Sequence, residues 1–188
     1  MRNFGYRSSN NSLYVGTQGG GIYKYSTAGA TWVAMNNGLP TSGTISALLA
    51  LANSETVWSV VSGAGTSGGT NLSGVYRSTD GGANWTPYNS GIPLSNNDYQ
   101  VLTVTVPPGM SDAFITVEGA GIYRSSTVGT TGVTWVAQNN GLPTGAYGFQ
   151  GGLGTPGDGF LYVAIDGQGI YRGTTGSPAT NPVTWTAW

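Results

Sequence analysis

One phrase returns four times along this chain: Gly21-Ile22-Tyr23-Lys24, Gly74-Val75-Tyr76-Arg77, Gly121-Ile122-Tyr123-Arg124 and Gly169-Ile170-Tyr171-Arg172. A tryptophan follows each tyrosine by 9 to 14 residues, and Trp32, Trp85, Trp135 and Trp185 lie 53, 50 and 50 residues apart. A nearly constant period of that length marks stacked supersecondary units, each too small to bury its apolar face alone. The 188 residues therefore read as one domain of four units, approximately 1–38, 39–91, 92–141 and 142–188.

Inside each unit, short apolar runs rich in β-branched and aromatic residues alternate with Gly, Ser and Asn at strand spacing. The second unit predicts strands at 45–51, 56–61, 74–78 and 85–88, and the third at 101–106, 113–117, 121–125 and 134–137. In the fourth they fall at 147–151, 160–165, 169–173 and 184–188, and in the first at 3–6, 13–17, 21–25 and 31–35. Helix-period stripes with caps are absent, so the chain reads as all-β. Four-stranded antiparallel units at this period are expected to be blades of a β-propeller.

A second phrase fixes how units connect. Asn36-Asn37-Gly38-Leu39-Pro40, Asn89-Ser90-Gly91-Ile92-Pro93 and Asn139-Asn140-Gly141-Leu142-Pro143 follow the last strand of the first three units. An Asn/Ser-Gly turn and a proline stop suit a crossover to the next unit. Three assemblies fit four blades: a single four-bladed ring, half of a larger ring completed by a second copy, or a tandem array running from molecule to molecule. Unclasped edge strands are templates for pairing, which keeps the open assemblies in view.

At one hairpin the sequence resembles a known repeat. Ser78-Thr79-Asp80-Gly81-Gly82-Ala83-Asn84-Trp85 is similar to the Asp-box, or bacterial neuraminidase repeat, Ser-x-Asp-x-Gly-x-Thr-Trp, with Asn84 in the Thr place. That repeat occurs between the third and fourth strands of blades in sialidases, xyloglucan-type glycoside hydrolases and sortilin-like receptors. The resemblance implies that Ser78 and Asp80 bond turn amides, that Gly82 takes a backbone conformation closed to side chains, and that Trp85 anchors the turn. Its role is structural. Thr27, Thr127 and Thr175 stand where Asp80 does in the other units, and a hydroxyl makes a weaker version of the same bond.

Composition excludes much chemistry. With no cysteine and no histidine, there is no thiolate nucleophile, no Ser-His-Asp triad and none of the usual zinc sites. A net charge of -1 provides no footprint for nucleic acid, and no run approaches the roughly 20 apolar residues of a membrane span. No cofactor or metal is expected, because the acidic residues do not cluster. Charged residues make up only 7% of the chain against roughly 25% in an average domain. So weakly charged a surface gives little colloidal repulsion, which suits burial in an assembly or a glycan coat. Asn10, Asn71 and Asn84 fit the N-glycosylation pattern.

Glu118 and Asp166 occupy equivalent turns between second and third strands, with Gln18 in the corresponding place of the first unit. These three form the candidate ligand face. A glycosidase needs two carboxylates roughly 5 to 9.5 Å apart with one pKa raised, and nothing in the spacing imposes that. Acidic turn residues facing water are the plainer reading, so no catalytic residue is assigned. Lys24, Arg77, Arg124 and Arg172 repeat with the blade and are expected to pack their stems on the sheet, and the four periodic tryptophans are expected in the core. The sequence thus points to a non-enzymatic extracellular or cell-surface module, structural or self-assembling as a dimer or fibre and open to glycosylation. The alternative is a glycan-binding propeller or a fragment of a sialidase- or xyloglucanase-type glycoside hydrolase.

Overall fold

Apolar alternation at a period of two, broken by glycine turns, dictates sheets. The structure, a computed structural model, describes residues 3–67, 69–93, 100–108, 110, 112–125, 134–144, 153–155, 157–174 and 182–188. Among these its only helical element is a 3-10 turn at Ser8–Asn10. The chain forms two compact units, the first running through Asn89 and the second from Val101 to Trp188 together with Ser90–Pro93.

In the first unit, β1 (Asn3–Arg7), β2 (Ser12–Gly16), β3 (Ile22–Ser26) and β4 (Thr31–Ala34) form an antiparallel meander in sequence order. A second sheet follows from β5 (Thr44–Ala50), β6 (Val57–Ser62), β9 (Gly74–Ser78) and β10 (Thr86–Pro87), in the order β10-β9-β6-β5. Between β6 and β9 the glycine-rich segment forms a small extra hairpin, β7 (Thr66–Ser67) and β8 (Thr70–Asn71), where the sequence pattern shows no strand. Strand β5 packs against β1 and β2. Gly16 permits this approach, because a Cβ there would lie 2.4 Å from Ile45 Cγ2. The core between the two sheets gathers Tyr14, Ile22, Ile45, Val57, Tyr76 and Trp85, each large side chain stabilising the unit by about 1.5–3 kcal/mol.

The second unit repeats the plan. Strands β11 (Val101–Thr105), β12 (Phe114–Val117), β13 (Gly121–Ser125) and β14 (Trp135–Ala137) form a four-stranded antiparallel sheet. The last sheet has three strands among the described residues: β15 (Phe160–Ile165), β16 (Gly169–Thr174) and β17 (Trp185–Ala187). The expected first strand at 147–151 lies outside the described residues. Beside β15 the chain makes one antiparallel bridge, with Gly154 N donating to Tyr162 O at 2.7 Å and Tyr162 N returning to Gly154 O at 2.9 Å. Phe114, Ile122, Leu161, Val163, Val183 and Trp185 build this core.

Three periodic tryptophans are buried as the pattern requires, but Trp32 is 44% exposed where Trp85 is 4%. The difference has a local cause: Trp85, Trp135 and Trp185 each receive a connector from the preceding repeat.

Candidate functional site

The candidate ligand residues stand on turns. Glu118 opens the β12–β13 hairpin and Asp166 the β15–β16 hairpin, and both are exposed. The two turns are alike: Ala120 N donates to Val117 O and Gln168 N to Ile165 O, with Gly119 and Gly167 at positive φ. Gln18 differs. It forms an antiparallel bridge with Thr44, flanked by the Ile45 N to Thr17 O and Gly19 N to Gly43 O bonds, so its backbone extends the pairing between the first two sheets.

The other described carboxylates are held in bonds. Glu55 accepts from the buried Arg7 at 2.6 Å, and this hydrogen bond is the main reason its pKa is lowered. Asp112 takes the Nε of Arg124 at 2.7 Å in a buried pair. Asp158 accepts from Phe160 N at 3.0 Å and from the Tyr162 hydroxyl at 2.9 Å.

Asp80 sits in the turn that resembles the Asp-box. The Ser78 hydroxyl donates to Asp80 Oδ1 at 2.7 Å and accepts from Gly82 N at 2.8 Å. Asn84 donates its backbone N–H to Oδ1 at 2.9 Å and its side-chain amide to Oδ2 at 2.7 Å. Those Asn84 bonds lead the causes that lower the Asp80 pKa. Gly81 and Gly82 both adopt positive φ, and the Tyr14 hydroxyl donates to Gly81 O at 2.9 Å, tying the turn to the first sheet.

The repeated cations face aromatic rings. Lys24 lies 5.4 Å from the Tyr14 ring, Arg77 5.4 Å from Trp58, Arg124 5.5 Å from Phe114 and Arg172 4.6 Å from Phe160. In the first three repeats the ring belongs to the residue directly opposite on the neighbouring strand. This is a cross-strand pair of the kind that stabilises sheets. The sequence carries the signal, an aromatic in every second strand and two, Phe160 and Tyr162, in the fourth repeat, but only the register shows which cation each ring meets.

The connector between repeats emerges as a two-sided clasp. Its first asparagine bonds its own sheet: Asn36, Asn89 and Asn139 accept, through Oδ1, the N–H groups of Ile22, Val75 and Ile122 at 2.7, 2.7 and 2.8 Å. This explains the glycine of the recurring Gly-Ile/Val-Tyr phrase. A Cβ on Gly21, Gly74 or Gly121 would lie 2.3 to 2.4 Å from that asparagine oxygen. The second residue holds the next repeat. The backbone N–H groups of Trp85, Trp135 and Trp185 donate to Asn37 O, Ser90 O and Asn140 O, each at 2.9 Å. The connector glycine then presses on the same tryptophan, since a Cβ on Gly38, Gly91 or Gly141 would lie 2.1 to 2.4 Å from its carbonyl oxygen. Two indoles complete the clasp: Trp85 Nε1 donates to Met35 O at 2.8 Å and Trp185 Nε1 to Gln138 O at 2.6 Å.

Of the three sequon asparagines, Asn10 accepts from Arg7 Nε at 2.9 Å and from Ser12 N at 3.2 Å. Asn71 accepts from Ser73 N at 2.7 Å. Asn84 commits its amide nitrogen to Asp80, so a sugar there would displace a bond of the turn. Acidic residues do not group as metal ligands among the described residues, and no helix there is long and apolar enough to cross a membrane.

No protein-family model and no curated protein matches the sequence. Among solved structures the chain is similar to the GH74 xyloglucanase from Xanthomonas campestris, with 13% identity and a TM-score of 0.50 over 92% of this chain. The chain spans 36% of that protein. At such identity the likeness concerns the fold alone, and together with the antiparallel four-stranded sheets it makes the fold β-propeller-like.

Proposed function

We propose that this chain is a non-enzymatic module of propeller-like repeats that works outside the cell by self-association, its Ser78–Trp85 segment serving as a structural Asp-box. The observation that carries this reading is the state of the carboxylates. Glu55, Asp80, Asp112 and Asp158 are all engaged in the bonds that hold turns and strands. The bonds on Glu55 and Asp80 hold their pKa values down, opposite to what a general acid requires. Glu118 and Asp166 are exposed turn residues in matching hairpins. The extracellular assignment draws on the low charge and the sequons at Asn10 and Asn71.

Incubation of the purified chain with xyloglucan and with sialosides tests the reading. No release of reducing ends or of sialic acid is expected, and Glu118→Gln and Asp166→Asn leave that result unchanged. Turnover abolished by either substitution would replace it with the glycoside hydrolase reading.

A second reading, a glycan-binding propeller, is favoured by a specific feature of the first unit. A concavity of about 340 Å³ there is lined by Asn11, Lys24, Tyr25, Thr27, Val33 and Met35, a mixture of ring, amide and hydroxyl groups suited to sugars. Titration with xyloglucan oligosaccharides separates the two: saturable binding lost in Tyr25→Ala would favour this second reading.

A further inference from the structure

Three of the four periodic tryptophans are held by the connector before them, and Trp32 stands apart with 44% of its surface exposed. The ladder shows why it can receive a partner. Met35 N donates to Ile22 O, so by antiparallel alternation residues 31, 33 and 35 form the bonded pairs with β3 and the N–H of Trp32 turns to the outer edge. Connector carbonyls reach Trp85, Trp135 and Trp185 at the same backbone position.

The complementary half of this junction lies on the last sheet. Trp188 N donates to Ile170 O at 2.9 Å, just as Met35 does to Ile22, Tyr88 to Val75 and Gln138 to Ile122. Trp188 therefore occupies the place of Met35 and Gln138, whose carbonyls accept the indole N–H of the following repeat's tryptophan. Its side chain is 72% exposed. Neighbouring rings already orient both indoles, Tyr25 at 5.4 Å from Trp32 and Tyr162 at 5.4 Å from Trp188, which lowers the ordering cost of contact.

We propose that copies of this chain join head to tail, the Trp32 face of one molecule packing on the Trp188 face of the next, with the Trp32 indole donating to the main-chain oxygen of Trp188. The occupant is a second copy because the Trp188 main-chain oxygen stands where Met35 O and Gln138 O each accept an indole N–H inside the chain, and Trp32 is the periodic indole that stays exposed. The inference rests on the self-association reading and gives it a place. Such an interface is heterologous, so it propagates beyond a dimer.

Sedimentation velocity on the full chain, from the order of 1 μM to 1 mM, tests it. Mass is expected to grow with concentration, and Trp32→Lys or Trp188→Lys each to weaken association by about 30-fold or more, as for a central tryptophan anchor. Both positions are exposed, so circular dichroism is expected to show intact folding. A mixture of the two variants is diagnostic, because each keeps the half that the other has lost: the mixture forms dimers and stops. Since the chain contains no cysteine, Thr31→Cys and Ala187→Cys chains joined by a short bismaleimide supply a second measurement, expected to yield a crosslinked heterodimer. A wild-type chain that stays monomeric throughout would defeat both this interface and the self-association reading. Assembly that survives both lysine variants and gives no crosslink would defeat the interface alone.

Discussion

Gly38→Ala puts the connector clasp to a quantitative test. The added Cβ would sit 2.1 Å from the carbonyl oxygen of Trp85, at a residue whose φ is +88°. Holding alanine in that backbone region costs about 1–2 kcal/mol. Relieving the overlap means moving the Trp85 backbone, at about 1–3 kcal/mol for overpacking. Loosening the Trp85 N–H bond to Asn37 O costs about 0.5–1.5 kcal/mol more. The expected loss is about 2.5–6.5 kcal/mol, a large part of the roughly 5–15 kcal/mol stability of a typical domain. Gly19→Ala is the matched control, since Gly19 has a φ of +79° with no heavy atom within 4 Å of its Cβ position; it carries only the conformational cost of about 1–2 kcal/mol. Urea unfolding of the full-length variants, followed by far-UV circular dichroism and tryptophan fluorescence, measures the difference. If the two variants agree within about 0.5 kcal/mol, the close approach of connector to tryptophan does not hold the repeats together.

Two further perturbations follow from the charged side chains. Asp112→Ala removes the carboxylate that the buried Arg124 guanidinium pairs with, with an expected loss of about 3–5 kcal/mol in the same urea experiment; adding Arg124→Met should recover part of it, and no recovery would count against the pair. Asp80 is held below its ordinary value near 3.8, chiefly by Asn84. It therefore stabilises the fold above that value, and the contribution fades as pH falls through the lower folded value. Asp80→Asn should flatten the acid limb of a stability profile below about pH 4, and an acid limb identical to wild type would show that the turn bonds do not report on stability.

Much of the fold was legible because its signals are local and repeated. Strand positions in the first three repeats follow from β-branched runs between glycines, and the observed limits differ from the expected ones by a residue or two at most ends. The β7–β8 hairpin escaped because its strands are two residues each, Thr66–Ser67 and Thr70–Asn71, too short for any period to register. The connector was visible as a turn and a proline. Its chemistry was not, since the partner of Asn36 is Ile22 and the partner of Asn37 is Trp85, contacts that only register and packing create. Trp32 illustrates the limit of periodicity: its sequence context matches that of Trp85, and burial depends on what precedes it in space. For Glu118 and Asp166 the sequence identified equivalent turns, and the structure adds their shape and exposure.

Ser90 and Gly91 close the second sequence repeat, yet they and the following Ile92 and Pro93 belong to the second unit, where Ser90 O accepts from Trp135 N. The inheritable segment of such an architecture is thus shifted relative to the visible repeat. A duplication or engineered excision that begins at Ser90 carries the strap its first tryptophan needs. One that begins past Pro93 leaves that tryptophan bare, as Trp32 is.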